Sequence, residues 1–381
     1  MQQLSDIRQQ INRIDQDITR LFIERMEVSE QVAAYKRATG KPIYDRERER
    51  ANVAAACSRV PVELASYAGT LETVLMEASR AVQHKTLGRQ GNLAASVRDA
   101  VAHAPATFPA HAHVACQGVE GAYQQIATER IVHRPTISYF DSFEGVFQAV
   151  EQGFADFGVL PIENSTAGSV NHVYDLMMRH SFHIVRSCRL KIDHNLLVRP
   201  GTRKEDVQVV YSHQQAINQC ADYIASIPRC RVHVCENTAR AAEHVANSSD
   251  PGVAALASRA CADLYGLEIA EASVQDNQNN YTRFACIAKD LTIYPGADRS
   301  SLMVVVNHEP GALYNVLARF YALDINLIKL ESRPIPDRDF EFMFYFDIEC
   351  PAASDEFCAL LDSLSETCED LRYLGSYTEV V

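Results

Sequence analysis

Residues 4–35 carry apolar side chains at Leu4, Ile7, Ile11, Ile14, Ile18, Leu21, Val28, Val32 and Tyr35, in steps of three and four. That spacing predicts one long helix with a single apolar seam. A helix of about 35 residues is long for a globular domain, so the seam must pack against other helices, including those of a second subunit. Gly40-Lys41-Pro42 ends it. One step of the seam is filled by Arg25, and Lys36 lies three turns on, nearly on the same face. A charge on such a seam is costly unless it is paired or serves a ligand. A carboxylate of another helix, such as Glu49, would satisfy Arg25 as well as a ligand would. A second helix is expected near Asp45, with Arg46–Arg50 as an alternating, solvated run. A third is expected from Pro61 to Gln83, carrying Leu64, Tyr67, Leu71, Val74, Ala78 and Val82 on one face.

The chain has 381 residues and a formal net charge of −13, which predicts two or three domains and argues against nucleic acid as a partner. It shows neither a leader pattern nor an apolar run long enough for a bilayer, so the expectation is a soluble, cytoplasmic protein with no membrane partner. The 11 cysteines form no CxxC pair and the histidines no HExxH. They read as buried thiols and scattered imidazoles, with no metal site and no cofactor. The pattern dissolves between His84 and His113, where Gly88, Gly91, Pro105 and Pro109 mark a connector with a short helix at 93–103.

From Val114 strands alternate with helices, an α/β pattern. Phe154 to Ile162 is apolar except for Asp156. The polar stretch Glu163-Asn164-Ser165-Thr166-Ala167-Gly168-Ser169-Val170-Asn171 follows, then Val173, Leu176 and Met177 at helical spacing. This predicts strand, loop and a helix N-capped by Ser or Thr, whose N-terminus could hold a carboxylate. Loops at Gln117–Tyr123 and Tyr211–Gln215 occupy equivalent strand ends, where open α/β sheets bind ligands. Two lobes are expected, with the chain leaving the first near Lys191 and returning near Thr282. His213 reads as a turn residue satisfied by backbone. From Ser301 the expected order is βαββαβ, with a strand from Phe340 to Ile348, a ferredoxin-like arrangement.

Arg8, Arg25, Lys36, Asp45, Arg48, Glu49, Ser79 and Gln83 resemble, position by position, the all-helical chorismate mutase family, whose three helices dimerise by exchanging the first. The resemblance implies that Arg25, Arg48 and the partner's Arg8 hold the carboxylates of chorismate. It also implies that Lys36 and Gln83 donate to the ether oxygen and that Glu49 meets the hydroxyl. The rearrangement is pericyclic, so a site need only hold the compact conformer and stabilise developing charge.

Pro161-Ile162-Glu163-Asn164-Ser165, Gly168-Ser169, Tyr211-Ser212-His213, Gln215 and Thr282-Arg283-Phe284 resemble prephenate dehydratases over residues 113–290. The resemblance implies loss of water and CO2 from prephenate, with Thr282 essential. Glu163, Asn164, Ser165, Ser212, Gln215 and Arg283 are then the substrate-binding candidates, Arg283 for a carboxylate. A threonine is too weak an acid to give up its proton readily, so Thr282 is read as orienting and hydrogen-bonding, and the proton source stays open between Thr282 and Glu163. Val119 and Ala122 stand where the family has Pro and Ser or Thr, which removes a hydroxyl from the first loop.

Gly311-Ala312-Leu313 and Glu331-Ser332-Arg333-Pro334 resemble the phenylalanine-sensing ACT domain, which binds the amino acid where two such domains meet. The expectation is therefore a multidomain protein. All-α mutase helices (1–86) and a linker (87–112) precede a two-lobed α/β dehydratase (113–290) and an α+β ferredoxin-like ACT domain (298–381). It should convert chorismate through prephenate to phenylpyruvate, be inhibited by phenylalanine, and form a homodimer or higher homo-oligomer. The alternatives are a dehydratase also accepting arogenate and a non-catalytic phenylalanine sensor.

Overall fold

The heptad seam is carried by one helix, α1 (Leu4–Thr39), in the computed structural model, which describes residues 4–87, 91–336, 338 and 341–381. Gly88 and Phe340 lie outside the described residues. Helix α2 (Arg46–Ser58) starts where the Asp45 carboxylate accepts the Arg48 N–H. A 3-10 turn at Val62–Leu64 leads into α3 (Ala65–Leu87), and α4 (Asn92–Ala102) supplies the helix of the connector. Within the single chain the seam stays open to solvent, with Ile11 and Ile14 each 51% exposed.

The α/β region begins with β1 (His111–Gln117), α5 (Tyr123–Ile131), β2 (Arg134–Phe140) and α6 (Phe143–Glu151). It continues through β3 (Phe157–Asn164), β4 (Gly168–Ser169), α7 (Asn171–Met177) and β5 (His183–Lys191). The chain then enters a second lobe: β6 (Asn195–Val198), β7 (Val209–His213), α8 (Gln214–Gln219), α9 (Ala221–Ser226) and β8 (Arg231–Cys235). Helix α10 (Thr238–Asn247), β9 (Val253–Ala257), α11 (Arg259–Tyr265) and β10 (Glu268–Glu271) complete that lobe, and β11 (Tyr281–Ala288) returns to the first. The remainder is β12 (Arg299–Val305), α12 (Ala312–Ala322), β13 (Asn326–Pro334), β14 (Phe342–Glu349), α13 (Asp355–Thr367), β15 (Asp370–Tyr377) and β16 (Glu379–Val380).

Among the described residues three sheets form, ordered β16-β5-β11-β3-β1-β2 with β4 beside β3, β10-β6-β9-β7-β8, and β13-β14-β12-β15. In the first, β1 runs parallel to β2 and β3, whereas the returning β11 is antiparallel to β3 and β5. The chain changes lobes at both expected places. The third sheet realises the βαββαβ order, with Gly311 as the N-cap of α12 at φ +86, a conformation open to glycine at no steric cost. All 11 cysteines are free thiols and seven are buried; burial pushes the Cys116 thiol up to about 12, so it stays protonated and inert.

Two compact units divide the chain. The first holds the mutase-like helices with residues 303–330 and 334–372; the second holds residues 100–302, 331–333 and 373–381. Inside the first, Glu77 of α3 faces Arg319 of α12 at 3.5 Å, and His84 Nε2 lies 3.0 Å from Glu366 of α13. Inside the second, β16 adds to β5 in parallel, and Gly375 of β15 lies against Ile184 of β5. A Cβ on Gly375 would fall 2.2 Å from the Ile184 carbonyl oxygen, and its φ is +134. Gly375→Ala should therefore destabilise the second unit by about 2–3 kcal/mol, read as a lower midpoint in chemical denaturation.

Candidate active sites

On the helical side, the misfit Arg25 turns toward α3. Its guanidinium donates to the Leu75 carbonyl (2.6 Å) and to the Ser79 hydroxyl, with the Glu72 carboxylate at 3.6 Å. Glu49, the carboxylate that could have neutralised Arg25, is instead held by Arg80 through both oxygens. Lys36 donates to the Ile43 carbonyl at 2.5 Å. Burial draws its ammonium below the usual lysine range, opposed by Asp45 and Glu49. Ser79 and Gln83 lie one turn apart on α3, both buried. Gln83 Oε1 is enclosed without a hydrogen-bond partner. These contacts join Arg25 of α1 to Ser79 of α3 and put Asp45 and Glu49 within electrostatic reach of Lys36. Arg48, in the first turn of α2, is exposed. Arg8 is not brought in: it lies about 25 Å along α1 from Arg25, at roughly 1.5 Å of rise per residue.

In the α/β region, Glu163-Asn164 pairs antiparallel with Gly168-Ser169, so the polar stretch is a tight hairpin. Helix α7 starts only after it, capped at Val170 with no side-chain bond. The expected Ser or Thr cap is therefore absent, and the hydroxyls serve the hairpin. Asn164 organises it. Its Oδ1 accepts the backbone N–H of Thr166 (3.1 Å) and Ala167 (2.9 Å) and the Thr166 hydroxyl (2.7 Å). Its Nδ2 then donates to Asn280 Oδ1 (2.8 Å) and to Thr282 Oγ1 (3.0 Å). Ser165 ties the turn to β11, its N–H donating to the Tyr281 carbonyl at 2.8 Å and its hydroxyl to the Asn279 carbonyl at 2.9 Å.

The other two candidates of this stretch face away. Side chains alternate along a strand, and Glu163 and Arg283, each next in sequence to a member of the Asn164–Thr282 pair, meet at 2.7 Å on the opposite face. Arg283 is 8% exposed and Glu163 half-buried, so the pair lies outside the Asn164–Thr282 cluster, on the other face of the strands. On that outer face Ser169 donates to Glu331 Oε2 at 2.5 Å. Arg333 makes a bidentate pair with Asp175 of α7, at 2.8 to 3.0 Å. Gly311, Ala312 and Leu313 belong to the first unit, where they line a pocket of about 580 Å³ with Asn307, Glu309 and Phe344. Glu309 is gripped by Arg46 (3.1 Å) and Arg50 (2.8 Å), which are therefore a paired run rather than a purely solvated one.

From the second lobe, Ser212 is fully buried and donates to the Leu256 carbonyl (2.7 Å), a structural bond. Gln215 is exposed, and its N–H is accepted by His213 Nδ1 at the N-cap of α8 (3.3 Å). The residue that does reach the cluster is Gln219, donating to Thr166 Oγ1 at 2.9 Å and accepting from Asn280 Nδ2 at 3.0 Å. Gln219, Asn280 and Thr166 were not singled out in the sequence. For Asn280 the signal was there: it sits two residues before Thr282 and so shares its face. Gln219 lies one helical turn beyond Gln215, with nothing local to prefer it.

The prephenate dehydratase family matches residues 114–292, and chorismate mutase type II matches residues 7–84. A bifunctional chorismate mutase/prephenate dehydratase of Enterobacter agglomerans is 33% identical over 384 residues, covering 97% of this chain and 95% of its own. The chain belongs to the bifunctional chorismate mutase/prephenate dehydratase family. Its activities are those two: rearrangement of chorismate to prephenate, then dehydration and decarboxylation to phenylpyruvate. Among solved structures, a prephenate dehydratase of Arthrobacter aurescens in complex with L-Phe aligns at a TM-score of 0.64 and 26% identity, covering 70% of this chain and 89% of that one. A quorum-quenching acylase, GqqA, aligns at 0.64 and 30% identity, covering 70% of this chain and 97% of its own.

In this member of the family the departure at Ala122 is filled structurally. Ala122 caps α5 without a side-chain bond, and the Gly121 N–H is taken by Gln125 Oε1 at 2.7 Å. Gln124 is buried and donates to the Val159 carbonyl. The hydroxyl candidate is left to Thr282. Asn164→Asp tests how that hydroxyl is set. A carboxylate keeps the turn's acceptors but cannot donate to Thr282 Oγ1, which must then donate to it. Dehydratase kcat should fall about 10²–10³-fold, the range for losing one positioned donor, with mutase turnover unchanged in the same preparation.

Proposed function

We propose that dehydration is driven from the Asn164–Thr282 cluster. The observation that carries this is the direction of one bond: Asn164 Nδ2 donates to Thr282 Oγ1, so the threonine proton is free to point at substrate. As the ring carboxylate of prephenate leaves as CO2, its C–C electron pair becomes ring π density and the C–O bond to the hydroxyl breaks. A hydrogen bond from Thr282 to that oxygen stabilises the charge developing there. Ser165 holds the hairpin in place. Arg283 with Glu163, and Ser212, act as scaffold behind the site, and Gln215 stands at its exposed rim.

For the mutase, Arg25 and Arg48, with Arg8 of the partner subunit, hold the carboxylates, because Arg8 of the same helix is too distant. Lys36 and Gln83 address the ether oxygen; Ser79 positions Arg25, and Asp45 and Glu49 complete the pocket. The exposed α1 seam supports exchange of this helix in a homodimer or higher homo-oligomer. The domain bounds we favour are 1–86, 87–112, 113–290 and 298–381. The last is an ACT domain that takes phenylalanine at Gly311-Ala312-Leu313 as feedback inhibitor, with Glu331-Ser332-Arg333 as the second half of the regulatory motif. Prephenate is favoured over arogenate because the fused mutase produces it. A cytoplasmic location completes this reading; no helix among the described residues is long and apolar enough to cross a membrane.

Assays with chorismate and with prephenate, following phenylpyruvate, test the two sites separately. Thr282→Ala should lower dehydratase kcat by about 10²–10³-fold and spare the mutase; Lys36→Ala should do the reverse. Millimolar phenylalanine should lower dehydratase turnover and raise the thermal midpoint; no change in either removes the regulatory assignment.

A further inference from the structure

The hydrogen bonds around Asn164 continue through Gln219 to a side chain with no role so far. His194 stands at the crossing between lobes, just before β6, and is 3% exposed. Its Nε2 lies 3.0 Å from Gln219 Oε1. Its backbone N–H donates to Gln275 Oε1 at 3.0 Å, and its ring meets Tyr123 edge-on at 6.0 Å. This is a fixed imidazole in a packed place.

The polarity of the network is set from its far end. Backbone N–H groups only donate, so Thr166 and Ala167 fix which end of the Asn164 amide is oxygen. Asn164 Nδ2 therefore meets Asn280 Oδ1, and Asn280 Nδ2 meets Gln219 Oε1. Gln219 turns its Nε2 to Thr166 Oγ1, leaving the same Oε1 toward His194. An acceptor oxygen bonds His194 only if Nε2 carries the proton.

We infer that His194, as its Nε2–H tautomer, is a positioning residue for dehydration: it pins the Gln219 amide, and through Asn280 and Asn164 keeps the Thr282 hydroxyl proton aimed at the departing hydroxyl. The inference rests on the reading of Thr282 as the donor. The other ring nitrogen agrees with it. His194 Nδ1 is buried with no hydrogen-bond partner, so a second proton there would have no acceptor. Burial also holds the imidazole below its usual range, against the opposing pull of Gln219 and Asp193.

The test compares three substitutions in the full-length enzyme, with mutase turnover as the folding control. His194→Phe keeps a ring but no donor. His194→Gln places an amide N–H near the position of Nε2, and His194→Asn places one near Nδ1. The expected result is a fall in dehydratase kcat on the order of 10–100-fold for Phe and Asn, with KM for prephenate within about threefold, and recovery of most of that loss by Gln. Equal losses in Gln and Asn, or wild-type kcat in both Phe and Asn, would overturn it. If His194→Phe loses mutase activity too, the Gln and Asn pair decides. His194→Asn is then combined with Thr282→Val. No further loss beyond Thr282→Val alone is expected; a multiplicative loss sinks the role of His194 while leaving Thr282 in place. Full activity of Thr282→Val by itself would instead remove the Thr282 reading.

Discussion

The dehydratase half depends on the orientation of one amide. Asn164 is 4% exposed and its polar atoms are engaged on both sides, the oxygen by a turn's backbone N–H groups and the nitrogen by Asn280 and Thr282. A buried amide with a full set of partners cannot flip without leaving donors facing donors, each costing about 1–3 kcal/mol. The hairpin, the returning strand β11 and helix α8 of the other lobe are thereby held in one arrangement. That arrangement has a chemical consequence, because it decides which way a hydroxyl proton points.

The helical half sets its buried charges differently. Arg25 and Lys36 are spaced by the helix itself; each donates to a backbone carbonyl, Leu75 and Ile43, while carboxylates stand near both, Glu72 at 3.6 Å from Arg25 and Asp45 and Glu49 around Lys36. Glu49, the nearby acid, is kept occupied by Arg80, and Glu77 lies between Arg80 and Arg319 at 3.8 and 3.5 Å. Burial raises the Glu77 carboxyl above its usual range against the pull of both guanidiniums. Helices α2 and α3 and helix α12 of the C-terminal fold are thus joined by alternating charges.

Elements with strong periodicity were legible in the sequence. The α1 seam, the start of a second helix near Asp45, the two lobe crossings and the βαββαβ order all follow from local pattern. The hairpin at 163–169 did not, because a strand of two residues has no period and its hydroxyls read equally well as caps. The same stretch hid the division of the site. Glu163 and Asn164 look like one cluster in a line of text, whereas strand alternation sends them to opposite faces. Gln219 was illegible for a different reason: only the packing of one lobe on the other gives it a partner, and no spacing within α8 encodes that.

The C-terminal strand β16 pairs with β5, and Glu379 within it reaches Arg299 at 3.2 Å and Arg189 at 3.9 Å. Glu331 and Arg333 meanwhile hold Ser169 and Asp175. This sheet therefore takes its outermost strand from the far end of the chain, and its hairpin leans on residues of β13. A chain ending at residue 290 would lack β16 and leave β5 as an open edge of this sheet. Residues 331–333 and 373–381 thus belong to the same compact unit as the dehydratase sheet, although the sequence places them in the segment that follows it.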